Sequence, residues 1–328
     1  MINKQVVLSK KLFKKNIDQV PTRNGYGEGL LEAGKKNEQV VSFCCDLTDS
    51  TRNDLFEKAF PKRFIEAGVA EQNMAGMAAG MALGAGKIPF ISSYAVFSPG
   101  LNWSQIRVSI AYSGANVKIV GAHSGISVGP DGATHQALED IAITRVLPRM
   151  TVIAPCDTLE AKKATLAATE KKGPVYLRFT REKTPVMTTS KTPFKIGRAE
   201  VFREGKDVTI VACGPLVYEA LLAAKELEKD IDCEVINCHT IKPLDKKTIL
   251  NSVKKTGRVV TVEEHQIKGG LGGAVAEMLA ENYPVPMERV GMPDCFGESG
   301  KPEELLKKWG MDKDGIMKKI VKVMKRKR

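Results

Sequence analysis

Long apolar runs are missing from this sequence. The apolar stretch that ends at Lys87 is shorter than the roughly 20 residues that a membrane span needs. The first basic cluster, residues 10–15, is not followed by the apolar region of a secretory signal. We therefore expect a cytoplasmic protein that does not associate with a membrane.

Signatures of disulfide bonding and of metal binding are also missing. The seven cysteines are odd in number and include no Cys-x-x-Cys spacing, so a disulfide scaffold is not indicated. His123 and His135 are twelve residues apart and have no cysteine nearby, which argues against zinc. We predict a reducing compartment and no metal ligands in this chain.

Aromatic residues are scarce beside the most basic segment. The net charge is +12, and residues 318–328 contain seven basic residues and no acidic one. Nucleic-acid binding would call for stacking aromatics near such a run, and Trp309 is the only one there. We expect a solvated helix end or tail, whose charge could attract anionic ligands from a distance.

What is present is an alternation of strand-like and helix-like segments, typical of an α/β fold with mostly parallel sheets. A polar stretch at 182–195 with two prolines predicts a linker, and the length suggests about two domains. The first domain has strand candidates at 39–45, 88–92, 116–121, 151–154 and 174–178 and a helix from 158. The second has strand candidates at 207–212, 233–237 and 258–262 and helices at 215–229, 245–255 and 270–281.

One carboxylate, Glu71, stands at the start of a helix rich in small residues. Met74, Met77, Ala78 and Met81 repeat on one face of that helix. Because alanine and glycine fill the remaining positions, a strand or ligand can approach closely, and we expect Glu71 in a desolvated corner. The alternative is that it only complements the helix dipole.

Three aromatic residues, Tyr94, Phe97 and Trp103, follow the strand at 88–91. Open α/β sheets bind ligands at the carboxyl ends of their strands, so these rings could form a flat platform. Packing in the core is the competing interpretation.

A glycine-rich loop after the strand at 116–121 carries two of the four histidines. His123 and His135 flank Asp131, with little side-chain bulk between them. Such a loop suits a polyhydroxylated substrate, because its polar groups converge on an open space. The alternative is that each histidine is an ordinary loop residue.

Several of these motifs, in this order, resemble the C-terminal half of transketolase. Glu71-Gln-Asn-Met resembles the catalytic glutamate motif of that family, and Gly129-Pro-Asp-Gly-Ala-Thr-His-Gln resembles its substrate loop. The sequence from Gly197 onward resembles its C-terminal domain. The resemblance implies a pyrimidine-binding domain at 1–185, a linker at 186–195 and a transketolase C-terminal domain at 196–328.

The motif that holds the cofactor's diphosphate is absent. The family binds thiamine diphosphate and a divalent metal, magnesium or calcium, through a Gly-Asp-Gly motif, and no such triplet occurs here. The resemblance therefore implies one subunit of a split transketolase. Its partner, an N-terminal-half subunit, would carry the motif and the metal ligands, and an α2β2 heterotetramer is expected.

The resemblance also implies roles for individual residues around the cofactor. Glu71 would bond to the pyrimidine ring, Phe97 would stack on that ring, and Tyr94 would lie beside it. Asp46 resembles an aspartate near the cofactor at the subunit boundary, although it could instead cap the turn that follows. Gly100 and Trp103 cannot be aligned, because the segment 97–105 is one residue longer than in the family.

A ketose phosphate would be bound at the other end of the site. His123 and His135 are candidate catalytic residues that would also bind the sugar, and Asp131 would read the configuration of a hydroxyl. Its phosphate would bind to Arg23, Ser50 and Arg181. Arg178 is the alternative to Arg181 in this role. Glu263, Glu264 and His265 receive no role.

The implied reaction is transfer of a two-carbon ketol unit between sugar phosphates in pentose phosphate metabolism. The alternatives are a 1-deoxyxylulose-phosphate synthase, the β-subunit of a 2-oxoacid dehydrogenase, and a non-catalytic partner subunit. The histidines and Asp131 favour a sugar over an oxoacid, and an intact Glu71 and Phe97 argue against a non-catalytic chain.

Overall fold

The computed structural model describes residues 1–327 and contains two sheets flanked by helices, with a short antiparallel ribbon. Arg328, the last residue of the predicted C-terminal domain and basic tail, lies outside the described residues. The predicted α/β class with parallel sheets is confirmed. Within residues 1–327, no helix is both long enough and apolar enough to cross a bilayer.

The first half of the chain supplies eight strands and seven helices. Its strands are β1 (Gln19–Pro21), β2 (Val40–Cys44), β3 (Phe64–Glu66), β4 (Ile88–Tyr94), β5 (Lys118–Ala122), β6 (Thr151–Ile153), β7 (Val175–Arg178) and β8 (Lys183–Pro185). Its helices are α1 (Thr22–Lys36), α2 (Thr48–Thr51), α3 (Asp54–Ala59), α4 (Glu71–Ala85), α5 (Trp103–Gln105), α6 (Asp140–Arg145) and α7 (Thr158–Glu170). Wider π-helical turns cover Val96–Leu101 and Ile106–Tyr112, and 3₁₀ turns cover Pro61–Arg63 and Ile126–Asp131.

The second half supplies the remaining strands and helices. Its strands are β9 (Glu200–Arg203), β10 (Val208–Ala212), β11 (Cys233–Asn237), β12 (Thr240–Lys242), β13 (Val259–Gln266) and β14 (Met287–Met292). Its helices are α8 (Leu216–Glu226), α9 (Lys246–Thr256), α10 (Leu271–Asn282), α11 (Pro302–Lys308) and α12 (Lys313–Met324).

The larger sheet has the order β12-β6-β7-β5-β4-β2-β3 and is parallel except for β12. The smaller sheet has the order β14-β13-β10-β11-β9, with only β9 antiparallel. Central strands such as β2 and β10 are buried along their whole length, because helices cover both faces of a parallel sheet.

The two halves of the chain are joined by more than the segment between them. Strand β12 comes from the second half but extends the sheet of the first. One apolar cluster contains residues of both halves, including Val152 and Ile236. The predicted linker 182–195 begins with strand β8 (Lys183–Pro185), and residues 186–195 form no helix or strand. Even there, Thr188 donates through its backbone N–H to Asp157 Oδ2 (2.6 Å). The boundaries 1–185, 186–195 and 196–328 remain a proposal.

Helix α4 begins at Glu71, but its buried face differs from the predicted one. Met74 and Ala78 are buried together with Ala75 and Ala79, whereas Met77 is 37% exposed. The face is shifted because alanines, not methionines, let the helix lie close to the sheet. The small residues thus decide how near Glu71 comes to strand β4.

Candidate functional site

The predicted site residues follow the carboxyl ends of four strands. Asp46 comes after β2, Tyr94 ends β4, His123 comes after β5 and Arg181 comes after β7. These strands are neighbours in the order β7-β5-β4-β2, so their ends meet at one edge of the sheet. A ligand site is expected at such an edge.

Glu71 is buried at this edge, with 3% of its surface exposed. Ser93 donates a hydrogen bond through its hydroxyl to Oε1 (2.8 Å). Among residues 1–327, no side chain or backbone group donates to Oε2. The site therefore contains a desolvated carboxylate whose second oxygen is available to a ligand.

Asn102 fixes Glu71 to the aromatic segment. Its amide nitrogen donates to the Glu71 carbonyl (3.1 Å) and to Ser98 Oγ (3.1 Å), and all three residues are buried. Phe97 immediately precedes Ser98, so the backbone of Glu71 and the segment that carries the Phe97 ring belong to one hydrogen-bonded unit. Neither Ser93 nor Asn102 was predicted, although both lie in the polar stretch that follows the strand pattern.

Four rings form a single cluster beside this unit. Tyr94 stacks on His123 with ring centres 4.1 Å apart and lies nearly parallel to Phe97 at 6.2 Å. His135 meets Phe97 edge-on at 5.6 Å. Trp103 lies outside this cluster, because its indole packs against the core and donates to the Ile143 carbonyl (2.7 Å). The platform therefore contains two of the three expected aromatics and both loop histidines.

His123 is held in its neutral form. Arg23 donates to His123 Nε2 (2.8 Å), so this nitrogen is an acceptor and the ring proton resides on Nδ1. Burial, followed by the positive charges of Arg23 and Arg181, lowers the pKa of His123 to about 3. Nδ1 is buried and has no hydrogen-bond partner within residues 1–327, so the neutral ring keeps one unused donor.

We expect the His123 ring to remain neutral across the physiological pH range. In the unfolded chain a histidine has a pKa of about 6.5. As the pH falls from about 6.5 towards 3, the unfolded chain takes up a proton at His123 that the folded chain does not, and the stability of the fold therefore decreases. NMR of labelled histidine in the isolated chain should show no His123 titration between about pH 5 and about pH 8. The signal that is lost in His123→Asn belongs to His123. A titration of that signal with a midpoint at about pH 6.5 would contradict the prediction.

Arginines gather at the outer end of the site. Arg23 donates to the Ser50 carbonyl (2.8 Å), and Arg181 donates to Asp131 Oδ1 (3.1 Å) and to the Val128 carbonyl (3.1 Å). Burial and the charges of Arg52 and Arg181 lower the pKa of Arg23. Arg52 was not predicted as part of this group. The concentration of positive charge favours an anionic ligand group.

Arg178, the alternative to Arg181, is already paired. It is buried and bonds to both carboxylate oxygens of Asp140 (2.7 and 3.2 Å), and it also donates to the Glu264 carbonyl. The structure thus places Arg181, and not Arg178, where a ligand could reach its guanidinium.

Asp46 lies at the rim of the site, exposed and with a positive φ of 57°. It does not cap the following turn through its side chain. Glu66 holds this turn instead, accepting from the Asp46 backbone N–H (2.8 Å) and from the Thr48 hydroxyl (3.1 Å). The Asp46 carboxylate is therefore free to face a ligand or a partner chain.

Two protein-family models together match most of this chain. Residues 18–187 match the family model of the transketolase pyrimidine binding domain, and residues 197–316 match that of the transketolase C-terminal domain. A putative transketolase C-terminal section of Methanocaldococcus jannaschii is 48% identical over 93% of this chain and 96% of its own length. A 6-deoxy-6-sulfo-D-fructose transketolase subunit of Clostridium sp. is 42% identical over 96% of this chain and 98% of its own length.

A solved structure is also similar to this chain. It is described as a split gene transketolase, inactive β4 tetramer, and it superimposes with a TM-score of 0.88 at 44% identity. The match covers 94% of this chain and 100% of that chain.

Proposed function

Because this chain belongs to the transketolase family, we propose that it is the C-terminal subunit of a split enzyme that transfers a two-carbon ketol unit from a ketose phosphate to an aldose phosphate. The observation that carries the proposal is the buried Glu71 carboxylate with one open oxygen, on a residue whose backbone carbonyl is tied by Asn102 to the segment of Phe97. We place the reaction in the pentose phosphate metabolism of the cytoplasm. Ketol transfer by this chain mixed with an N-terminal-half subunit is the direct test.

The residues at this site fit the pyrimidine end of thiamine diphosphate. Glu71 Oε2 can accept a hydrogen bond from a protonated ring nitrogen, and Phe97 offers a flat apolar face. When bound, the cofactor supplies a carbon nucleophile that adds to the carbonyl of the donor sugar. No group of three or more His, Cys, Asp or Glu side chains that could hold a metal ion occurs within residues 1–327. We therefore assign the diphosphate and its magnesium or calcium ion to the partner subunit.

Glu71 would hold a proton at N1′ of the pyrimidine ring. Ser93 occupies Oε1, so Oε2 would be the oxygen that accepts from the ring nitrogen. A hydrogen bond to a charged group is roughly twice as strong as a neutral one, and burial excludes water that would compete for it. Asn102 links the backbone of Glu71 to Ser98, the residue that follows Phe97.

The outer residues would bind the sugar phosphate. Arg23 and Arg181 suit a terminal phosphate, because a guanidinium donates two parallel hydrogen bonds to such a group. Neutral His123 can bond to a hydroxyl or carbonyl oxygen near the reacting carbon, with His135 beside it. Since a sulfo sugar carries a similar anionic end, the arginines alone do not select phosphate.

Asp131→Ala should separate a role in sugar recognition from a structural one. If Asp131 accepts a bond from a donor hydroxyl, kcat/KM for xylulose 5-phosphate should fall about tenfold to a hundredfold. Hydroxypyruvate lacks that hydroxyl and should lose much less. Steady-state kinetics of the assembled enzyme measure both values.

Arg181→Ala is the matched control, because Asp131 and Arg181 are hydrogen-bonded to each other. We expect this variant to lower kcat/KM for xylulose 5-phosphate but not for unphosphorylated xylulose, whereas Asp131→Ala should lower both values. Equal losses for xylulose 5-phosphate and hydroxypyruvate in Asp131→Ala would remove the proposed contact with the hydroxyl.

A further inference from the structure

The C-terminal half of the chain packs directly against the loop that carries Asp131 and His135. We call residues 125–135 the substrate loop and residues 294–300 the C-terminal segment. Gln136 lies between them and is 4% exposed. Its amide nitrogen lies within hydrogen-bond distance of the carbonyls of Ile126 (3.2 Å), Gly129 (3.3 Å) and Glu298 (2.9 Å).

A second tie comes from strand β13. Glu264 is 4% exposed, and its Oε1 accepts from the Ser127 backbone N–H (2.6 Å). The Glu264 carbonyl is itself fixed by Arg178 (2.8 Å). A Cβ atom at Gly125 would lie 2.3 Å from Glu264 Oε1, so the loop approaches this carboxylate as closely as glycine allows.

The C-terminal segment packs just as closely against Gln136. A Cβ atom at Gly297 would lie 1.9 Å from Gln136 Oε1 and 2.5 Å from Ile126 Cδ1. Only a residue without a side chain lets the C-terminal segment reach the Gln136 amide in this way. The contact is therefore a built feature of the junction between the two halves.

The substrate loop needs such ties because its own backbone is permissive. Gly125, Gly129 and Gly132 all have positive φ angles, and glycine adopts many other conformations at little cost. Their flexibility would leave Asp131 and His135 poorly placed. In enzymes, a displacement of about 1 Å can reduce the rate about a hundredfold.

Resting on the proposed function, we propose that Gln136 and Glu264 are positioning residues through which the C-terminal half holds Asp131 and His135 against the donor sugar. The shared apolar core supplies a rigid base for this contact. Neither residue touches the donor, and each acts only on the placement of the loop.

Gln136→Met tests the proposal, because methionine has a similar length but no N–H donors. In the assembled enzyme, kcat/KM for xylulose 5-phosphate should fall about tenfold, mainly through KM. The value for hydroxypyruvate should fall less, since that donor shares the contact near His135 but does not need Asp131. Equal losses for the two donors would overturn the proposal.

Hydrogen–deuterium exchange of the substrate loop in the isolated chain gives a second readout that needs neither partner nor activity. Gln136→Met should speed the exchange of residues 125–135 about tenfold. Unchanged exchange would overturn the positioning role whatever the kinetics show. Faster exchange in a chain that transfers no ketol with its partner would instead overturn the proposed function, and with it the assignment of donor specificity.

Gln266→Met is the matched control. Gln266 bonds to the same C-terminal segment, at Cys295 O (2.7 Å) and Asp294 N (3.0 Å), but its side chain makes no hydrogen bond to the substrate loop within residues 1–327. We expect it to leave the ratio of the two donors unchanged. A shift like that of Gln136→Met would indicate general loosening and overturn the specific role of Gln136.

Three further variants protect the test against a folding defect. Gly297→Ala retains the glutamine at position 136, but the added Cβ atom would displace the Gln136 amide. It should therefore shift donor preference in the same direction as Gln136→Met. Glu264→Gln keeps an acceptor for the Ser127 N–H and should retain wild-type preference, whereas Glu264→Leu should not. Equal behaviour of the two Glu264 variants would overturn the role of that carboxylate.

Discussion

Glu71→Gln is expected to slow ketol transfer about a hundredfold or more, with little change in the fold. Glutamine keeps the volume and an oxygen for the Ser93 hydroxyl, but its amide cannot hold a proton at N1′ as a carboxylate does. The informative measurement is exchange of the thiazolium C2 proton for deuterium, followed by NMR in the assembled enzyme. That exchange should slow to a similar extent.

Glu219→Gln provides the matched control for this substitution. Glu219 is a partly buried residue of α8 that accepts one hydrogen bond, from the Lys313 backbone N–H (2.8 Å), and within residues 1–327 it makes no hydrogen bond to a residue of the candidate site. It should leave both transfer and C2 exchange near wild-type values. An unchanged C2 exchange rate in Glu71→Gln would remove Glu71 from the mechanism.

The second large effect concerns the chain without its partner. It should show no ketol transfer, and it should bind thiamine diphosphate at least about a thousandfold more weakly than the assembled enzyme. Each bond to a charged group contributes about 1.5–3 kcal/mol, and the chain lacks the several that a diphosphate and its metal need. Titration calorimetry with the cofactor and magnesium measures the difference.

The control is the same titration after the N-terminal-half subunit has been added. Tight binding should then appear together with activity, and Glu71→Gln should weaken it. Tight binding of the cofactor by the partner-free chain would contradict the split-subunit assignment, because the pyrimidine contacts alone cannot supply that affinity.

Much of the fold follows from local patterns. Buried strands such as β2 and β10 were predictable because β-branched runs alternate with helical segments. Helix α1 was missed because its glycines have low helix propensity. Packing requires them: a Cβ atom at Gly25 would lie 1.9 Å from the Thr158 carbonyl at the start of α7. Strand β12 was missed because its pairing crosses from one half of the chain to the other.

The candidate site likewise has features that local sequence predicts and contacts that only the folded chain creates. The sequence by itself determined the α/β class, the carboxylate at the first turn of α4, the aromatic and histidine motifs, and the missing diphosphate motif, since each is local in the chain. The tertiary structure decided that Ser93 and Asn102 hold Glu71 and that Glu264 holds the substrate loop. These bonds join residues 22, 31 and 137 positions apart. No local pattern specifies such partners, because folding alone brings them within hydrogen-bond distance.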